Sequence, residues 1–113
     1  MRTIIAGSRG ITDYSLVAEA IKESGFEITE VTCGMARGVD LLGLQWAATH
    51  RVPVARFPAD WDTHGKSAGF IRNAKMADNA DALIAITTGT PGTRNMIRLA
   101  HQIGLKVFVK EIR

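Results

Sequence analysis

The 113-residue sequence contains one cysteine, Cys33, three prolines, and only 6% aromatic residues. A lone cysteine excludes an intrachain disulfide. Without a cysteine partner or clustered histidines there is no zinc-ligand spacing, so no metal is expected and a reducing compartment fits. No apolar run approaches the ~20 residues that span a bilayer. The strand-like run Thr3-Ile4-Ile5-Ala6 directly follows Met1-Arg2, so a cytoplasmic protein with no signal peptide and no membrane partner is expected. Basic residues outnumber acidic ones by 14 to 11, for a formal charge of +3, yet they are scattered along the chain. That balance favours an anionic partner and argues against a disordered nucleic-acid-binding arm, while leaving a folded basic groove open.

What is present is 46% apolar content, enough for one ordinary core in one domain covering residues 1–113. Short β-rich runs alternate with longer helical stretches, predicting strands at about 2–7, 27–33, 52–57, 82–87 and 106–112. Between them Val17/Ala20/Ile21, Val39/Leu42/Trp46, Ile71/Ala74/Ala77 and Ile97/Ala100/Ile103 recur at the spacing of a helix covering a sheet. The pattern βαβαβαβαβ predicts an α/β protein: a single Rossmann-like, doubly wound parallel sheet in a three-layer α/β/α sandwich.

In such a sheet, ligands bind where strands end and helices begin. The turns predicted at those ends are Gly7-Ser8-Arg9-Gly10, Gly34-Met35-Ala36-Arg37-Gly38, Pro58 to Lys66, and Thr88-Gly89-Thr90-Pro91-Gly92-Thr93. Seven of the eleven glycines fall in them, whereas opposite connections such as Ser24-Gly25-Phe26 are short and chemically plain. Backbone able to approach a ligand closely is therefore concentrated on one rim.

Each turn has a binding reading and a plainer one. Gly7, Ser8 and Arg9 offer backbone, a hydroxyl and a guanidinium fork for phosphate, or a surface turn. Asp13 reads as a helix N-cap. Gly34, Ala36, Arg37, Gly38 and Asp40 suit an anion at a helix start, unless Arg37 pairs locally and Asp40 only complements the helix terminus. In the third turn Asp60, Trp61 and Lys66, with Arg72 and Asn73 beyond, offer a base-stacking ring and polar groups for a second phosphate or sugar. A structural or oligomeric role for Trp61 is the alternative. His64 alone does not mark catalysis. Thr90, Gly92 and Thr93 again place donors beside a helix start, although Thr93 also reads as its cap. GxxxxGK[ST] is absent, which disfavours a P-loop ATPase. Trp46, Met76 and Met96 read as core.

Ala6-Gly7-Ser8-Arg9, Gly34 to Asp40, Pro58-Ala59-Asp60-Trp61 with Gly65-Lys66, Ala68 to Asn73, and Gly92 to Ile97 together resemble the YspA/cpYpsA-related SLOG family over nearly the whole chain. The resemblance implies a Rossmann-like fold and a nucleotide-derivative site on Ser8, Arg9, Gly34, Arg37, Gly38, Asp40, Asp60, Lys66, Arg72, Asn73, Gly92 and Thr93. It also implies a bacterial or phage setting. The related LOG phosphoribohydrolases carry PGGxGTxxE, but Met96 stands at the glutamate position here. A methionine cannot stabilise the cationic sugar formed as a sugar–base bond breaks. Asp40, Asp60 or Asp62 could substitute, and no residue is assigned as catalytic. DNA-processing protein A shares the glycine-serine-arginine start and binds single-stranded DNA, but Tyr14 and Trp61 provide few stacking platforms for an extended strand. The leading expectation is binding or sensing of a nucleotide-derived, phosphate-bearing small molecule, with no specific cofactor assigned. A nucleotide N-glycosidase comes second and single-stranded nucleic-acid binding third. A homo-oligomer is also expected.

Overall fold

In the computed structural model, which describes residues 1–112, β1 (Arg2–Gly7), β2 (Glu30–Cys33), β3 (Val54–Arg56), β4 (Ala82–Thr87) and β5 (Lys106–Glu111) form one parallel sheet in the order β3-β2-β1-β4-β5. The main helices are α1 (Tyr14–Ser24), α2 (Val39–Thr49), α4 (Ala68–Asp78) and α5 (Pro91–Gln102). A short α3 (Trp61–His64) and a 3-10 turn (Gly65–Ser67) precede α4.

Side chains alternate along the two central strands, so each strand feeds both faces. Ile5, Ile84 and Ile86 pack with Val17, Ala20 and Val39 of α1 and α2. Ile4, Ala6, Leu83 and Ala85 pack with Met76, Ala77, Met96 and Ala100 of α4 and α5. β4 is buried along its whole length, as a central parallel strand covered on both faces requires. This is the three-layer, doubly wound Rossmann-like arrangement. The chain reverses its direction of travel across the sheet between β1 and β4, where such folds open a crevice. No helix among the described residues is long and apolar enough to cross a membrane.

β1 and β4 occupy the expected ranges, but the flanking strands are shorter. Predicted from 27, β2 begins at Glu30, because Thr29 N–H turns to the Met1 carbonyl at 2.9 Å before the ladder starts. Predicted over 52–57, β3 shrinks to Val54–Arg56. Pro53 has no N–H to donate and contributes only its carbonyl, to Val31 N–H at 2.9 Å. Helix α3 was not expected in the third turn. It forms because the Asp60 carboxylate accepts Thr63 N–H at 3.1 Å, a side-chain N-cap.

Asp13 is the N-cap of α1, accepting Ser15 N–H at 2.9 Å and its hydroxyl at 2.7 Å. Those bonds hold its carboxyl below the usual carboxylate range, so the cap is at full strength at neutral pH and weakens on acidification. Asp13→Ala is expected to lower the melting temperature by roughly 4 °C at pH 7, and Asp13→Asn by much less. Thermal melts that rank the two variants equally would show the cap contributes nothing.

Candidate functional site

β1, α4 and the start of α5 enclose a cavity of about 540 Å³ at the carboxyl end of the sheet, directly over the β1/β4 reversal. Its polar end is built by two turns stitched together. Ser8 Oγ accepts Thr88 N–H at 3.0 Å and the Thr88 hydroxyl at 3.1 Å, and bonds the Thr90 hydroxyl at 3.0 Å. Thr90 continues the chain to Thr93 Oγ1 at 3.1 Å. Ser8 is 2% exposed, so its hydroxyl organises the rim, with little left to offer a ligand.

Thr90, rather than Thr93, is the N-cap residue of α5, with Pro91 at the first helical position. Its hydroxyl is engaged with Ser8 and Thr93, and no side chain caps the helix. Gly92 and Thr93, in the first turn, line the cavity, and the helix dipole there meets neither a side-chain cap nor an acidic residue of that turn. Arg9 and Lys66 line the same space, and among the described residues neither has a carboxylate within ion-pair distance.

Part of the lining is apolar. Trp61 and Phe70 stand half-exposed at the mouth with Gly69 between them, while Met76 and Met96, each 1% exposed, form the floor. The Gly69 Cα faces the Trp61 ring closely enough that a Cβ there would lie 3.7 Å from it. Both methionines are core residues, as their helical spacing predicts, but they also present surface to the cavity.

Asn73 and Arg72 fix α4 against its neighbours. Asn73 Nδ2 donates to Asn95 Oδ1 at 2.9 Å and to the Gly92 carbonyl at 3.3 Å. Its Oδ1 accepts Arg72 Nε at 3.0 Å, so both donors and one acceptor position of the buried amide are used. Arg72 also donates Nη1 to the Gly34 carbonyl, tying α4 to the β2 turn. Across from it lies Asp40, 4% exposed, whose Oδ2 accepts Ala36 N–H at 3.2 Å. Asp40 Oδ2 and Arg72 Nη1 each stand 2.7 Å from where a Cβ on Gly34 would be. Burial dominates both groups: it pushes the Asp40 carboxyl up to about 6 and lowers the Arg72 guanidinium, although each partly offsets the other. Cys33 lies beneath, its thiol pushed up by burial and its Sγ 3.4 Å from the Asp40 carbonyl.

Of the residues singled out from sequence, the cavity gathers Gly7, Ser8, Arg9, Ala36, Asp40, Trp61, Lys66, Arg72, Asn73, Thr90, Gly92 and Thr93. Gly34, Arg37, Gly38 and Asp60 do not line it. Gly38 has a supporting role: at φ +77° and ψ −129° it lets the β2 turn lie against the β1 turn, where a Cβ would stand 2.4 Å from the Ser8 carbonyl. Met35 is also left-handed at φ 62°, and Arg37, exposed between these two positions, lies off the cavity. Phe70, Gly69 and Thr88 line the site without having been singled out.

The β1 and β2 turns and most of the third fall within residues 1–64, the stretch matched by the YAcAr family model, described as the YspA, cpYpsA-related SLOG family. The Gene 61 protein of Mycobacterium phage D29 is 35% identical over 118 residues, covering 95% of this chain and 94% of that protein. The chain belongs to the YspA, cpYpsA-related SLOG family. The phage relative extends the similarity through the β4 turn and α5, which supply the uncapped helix end of this SLOG cavity.

Proposed function

We propose that the cavity binds a nucleotide-derived small molecule, with a phosphate at the α5 N-terminus and the base against Trp61 and Phe70. The supporting observation is the make-up of one cavity, whose lining combines an uncapped helix start and the cations Arg9 and Lys66 with two half-exposed aromatic rings. Membership of a SLOG family accords with this reading.

A thermal-shift panel of nucleoside mono- and diphosphates, ADP-ribose, cyclic dinucleotides and NAD tests it. A true ligand at 100 times its dissociation constant adds ~2.7 kcal/mol of apparent stability. For the ligand found, Arg9→Ala is expected to weaken binding roughly 10- to 100-fold through loss of a charge-assisted phosphate contact. Trp61→Ala is expected to weaken it by a similar factor through lost stacking. In this cavity, inorganic phosphate should be sensitive to Arg9→Ala and not to Trp61→Ala. If no panel member raises the melting temperature, or binding ignores both substitutions, the reading fails.

Asp40 favours one second reading, hydrolysis of the sugar–base bond. It is the carboxylate lining the cavity, and its elevated proton affinity suits acid–base work near neutrality. Asp60, the other candidate, caps α3 outside the cavity. Free base released from the bound nucleotide, and not by Asp40→Asn, would establish this activity.

A further inference from the structure

Helix α4 separates two cavities. Gly69, Asn73 and Met76 face the one described above, while Ala68, Ile71 and Lys75, one strip around the helix, face a smaller cleft of about 220 Å³ beside the end of β3. Arg72 lies on the boundary and lines both.

The smaller cleft is rich in positive charge. Arg56 enters from β3, His64 from α3, and Arg72 and Lys75 from α4, against the single carboxylate of Asp60. That carboxylate is already committed to Thr63 N–H, the bond that chiefly holds it below the usual carboxylate range, with His64 and Lys75 adding to the effect. Among the described residues none of the four basic side chains has a carboxylate within ion-pair distance. Arg56 of β3 and Arg72 and Lys75 of α4 thus bring three positive charges to one concave space against the Asp60 carboxylate in its lining, with Asp40 offsetting Arg72 only from the far side of the helix, a positive excess that favours entry of an anion. Arg72 strengthens the case. Its guanidinium is partly buried and held by the Gly34 carbonyl and Asn73, so one cation in the wall is already oriented and cannot swing away to water.

We propose that this cleft is a second oxyanion site, taking a phosphoryl group held by Arg56, Arg72 and Lys75. The proposal does not rest on the nucleotide reading of the larger cavity. The phosphoryl group is either a separate inorganic phosphate or the second phosphate of a ligand reaching past Arg72 from the larger cavity, and the chemistry of the cleft is the same for both.

The test is a titration of the full chain with inorganic phosphate at constant ionic strength, read by the backbone amide resonances of Phe57, Asp60, Ile71 and Lys75. Arg56 and Lys75 are exposed, so the double variant Arg56→Gln/Lys75→Gln is expected to keep its fold and melting temperature. Phosphate should shift those amides in the native protein. Its affinity there should fall roughly tenfold or more in the double variant and stay unchanged in Arg9→Ala, which alters only the larger cavity. AMP and ADP then separate the two sources. If one molecule supplies both phosphates, the double variant weakens ADP and spares AMP; if the anion is separate, both nucleotides behave as before while phosphate binding is lost. Amides of the cleft that do not respond to phosphate, or that respond equally in the double variant, overturn the proposal.

Discussion

Replacing Gly7 with alanine should cost the protein more stability than any other single methyl group added to the binding rim. A Cβ on Gly7 would stand 1.9 Å from the Ile86 carbonyl oxygen and 2.7 Å from Val39 Cγ2. The carbonyl is backbone in the central strand, and it also accepts Ser8 N–H at 3.1 Å. Relief therefore requires β1 and β4 to separate where the sheet reverses, breaking that hydrogen bond and disturbing the Ser8 hydroxyl network. Overpacking typically costs ~1–3 kcal/mol and a lost hydrogen bond ~1 more. The sum is on the order of 2–4 kcal/mol, or roughly 10 °C or more in melting temperature for a domain of this size. Gly10→Ala, three residues away in the same turn, meets nothing within 4 Å and is expected to change stability by less than about 0.5 kcal/mol. Equal melting temperatures for the two variants would mean that the strands are not in contact as described.

The second large effect concerns pH. Asp40 titrates near 3.8 when solvated and is raised to about 6 in the folded protein, chiefly by burial. Below about pH 4 the carboxyl is protonated in both states and imposes no penalty. Between about 4 and 6 the unfolded chain has released a proton that the folded protein still holds, so this group makes stability fall as pH rises. Above about 6 both states are ionised and the loss is complete, ~3 kcal/mol for a shift of about two units. Asp13, Asp60 and Asp81 act in the opposite sense, since their carboxyls are lowered on folding. The Asp40 contribution is therefore isolated by subtraction. Denaturant unfolding of native protein and Asp40→Asn at pH 4 and pH 7 should give a difference that moves by ~3 kcal/mol in favour of the variant at the higher pH. Parallel profiles would show that Asp40 is solvated in solution.

The central fold was readable because its physics is local. Uninterrupted apolar runs such as Ile4-Ile5-Ala6 and Leu83-Ile84-Ala85-Ile86 mark strands covered on both faces, and three- and four-residue apolar spacing marks their helices. The ends of β2 and β3 were not, because they depend on which neighbour an N–H reaches, as with Thr29 and Met1. Helix α3 was missed because a four-residue helix has no apolar period to detect and rests on the one capping bond of Asp60. At the site, residue type identified the turns but not the direction of their side chains. Arg9 and Arg37 look equivalent in sequence, yet the left-handed conformations at Met35 and Gly38 accompany an Arg37 that lies away from the cavity. Ser8 was read as a ligand contact, whereas most of its hydroxyl's capacity is spent inside the protein; Arg72 gives Nε and Nη1 to Asn73 and Gly34 and keeps its other N–H groups.

The Ser8 hydroxyl network has one more consequence. Three turns far apart in sequence are locked together before any guest arrives, with the β1 turn pressed backbone to backbone on the β2 turn and pinned through one oxygen to the β4 turn. Such a rim is a mould, not a clasp. Selection among guests then falls to shape and charge at first encounter, since little of the polar wall is free to reshape itself around a poor fit.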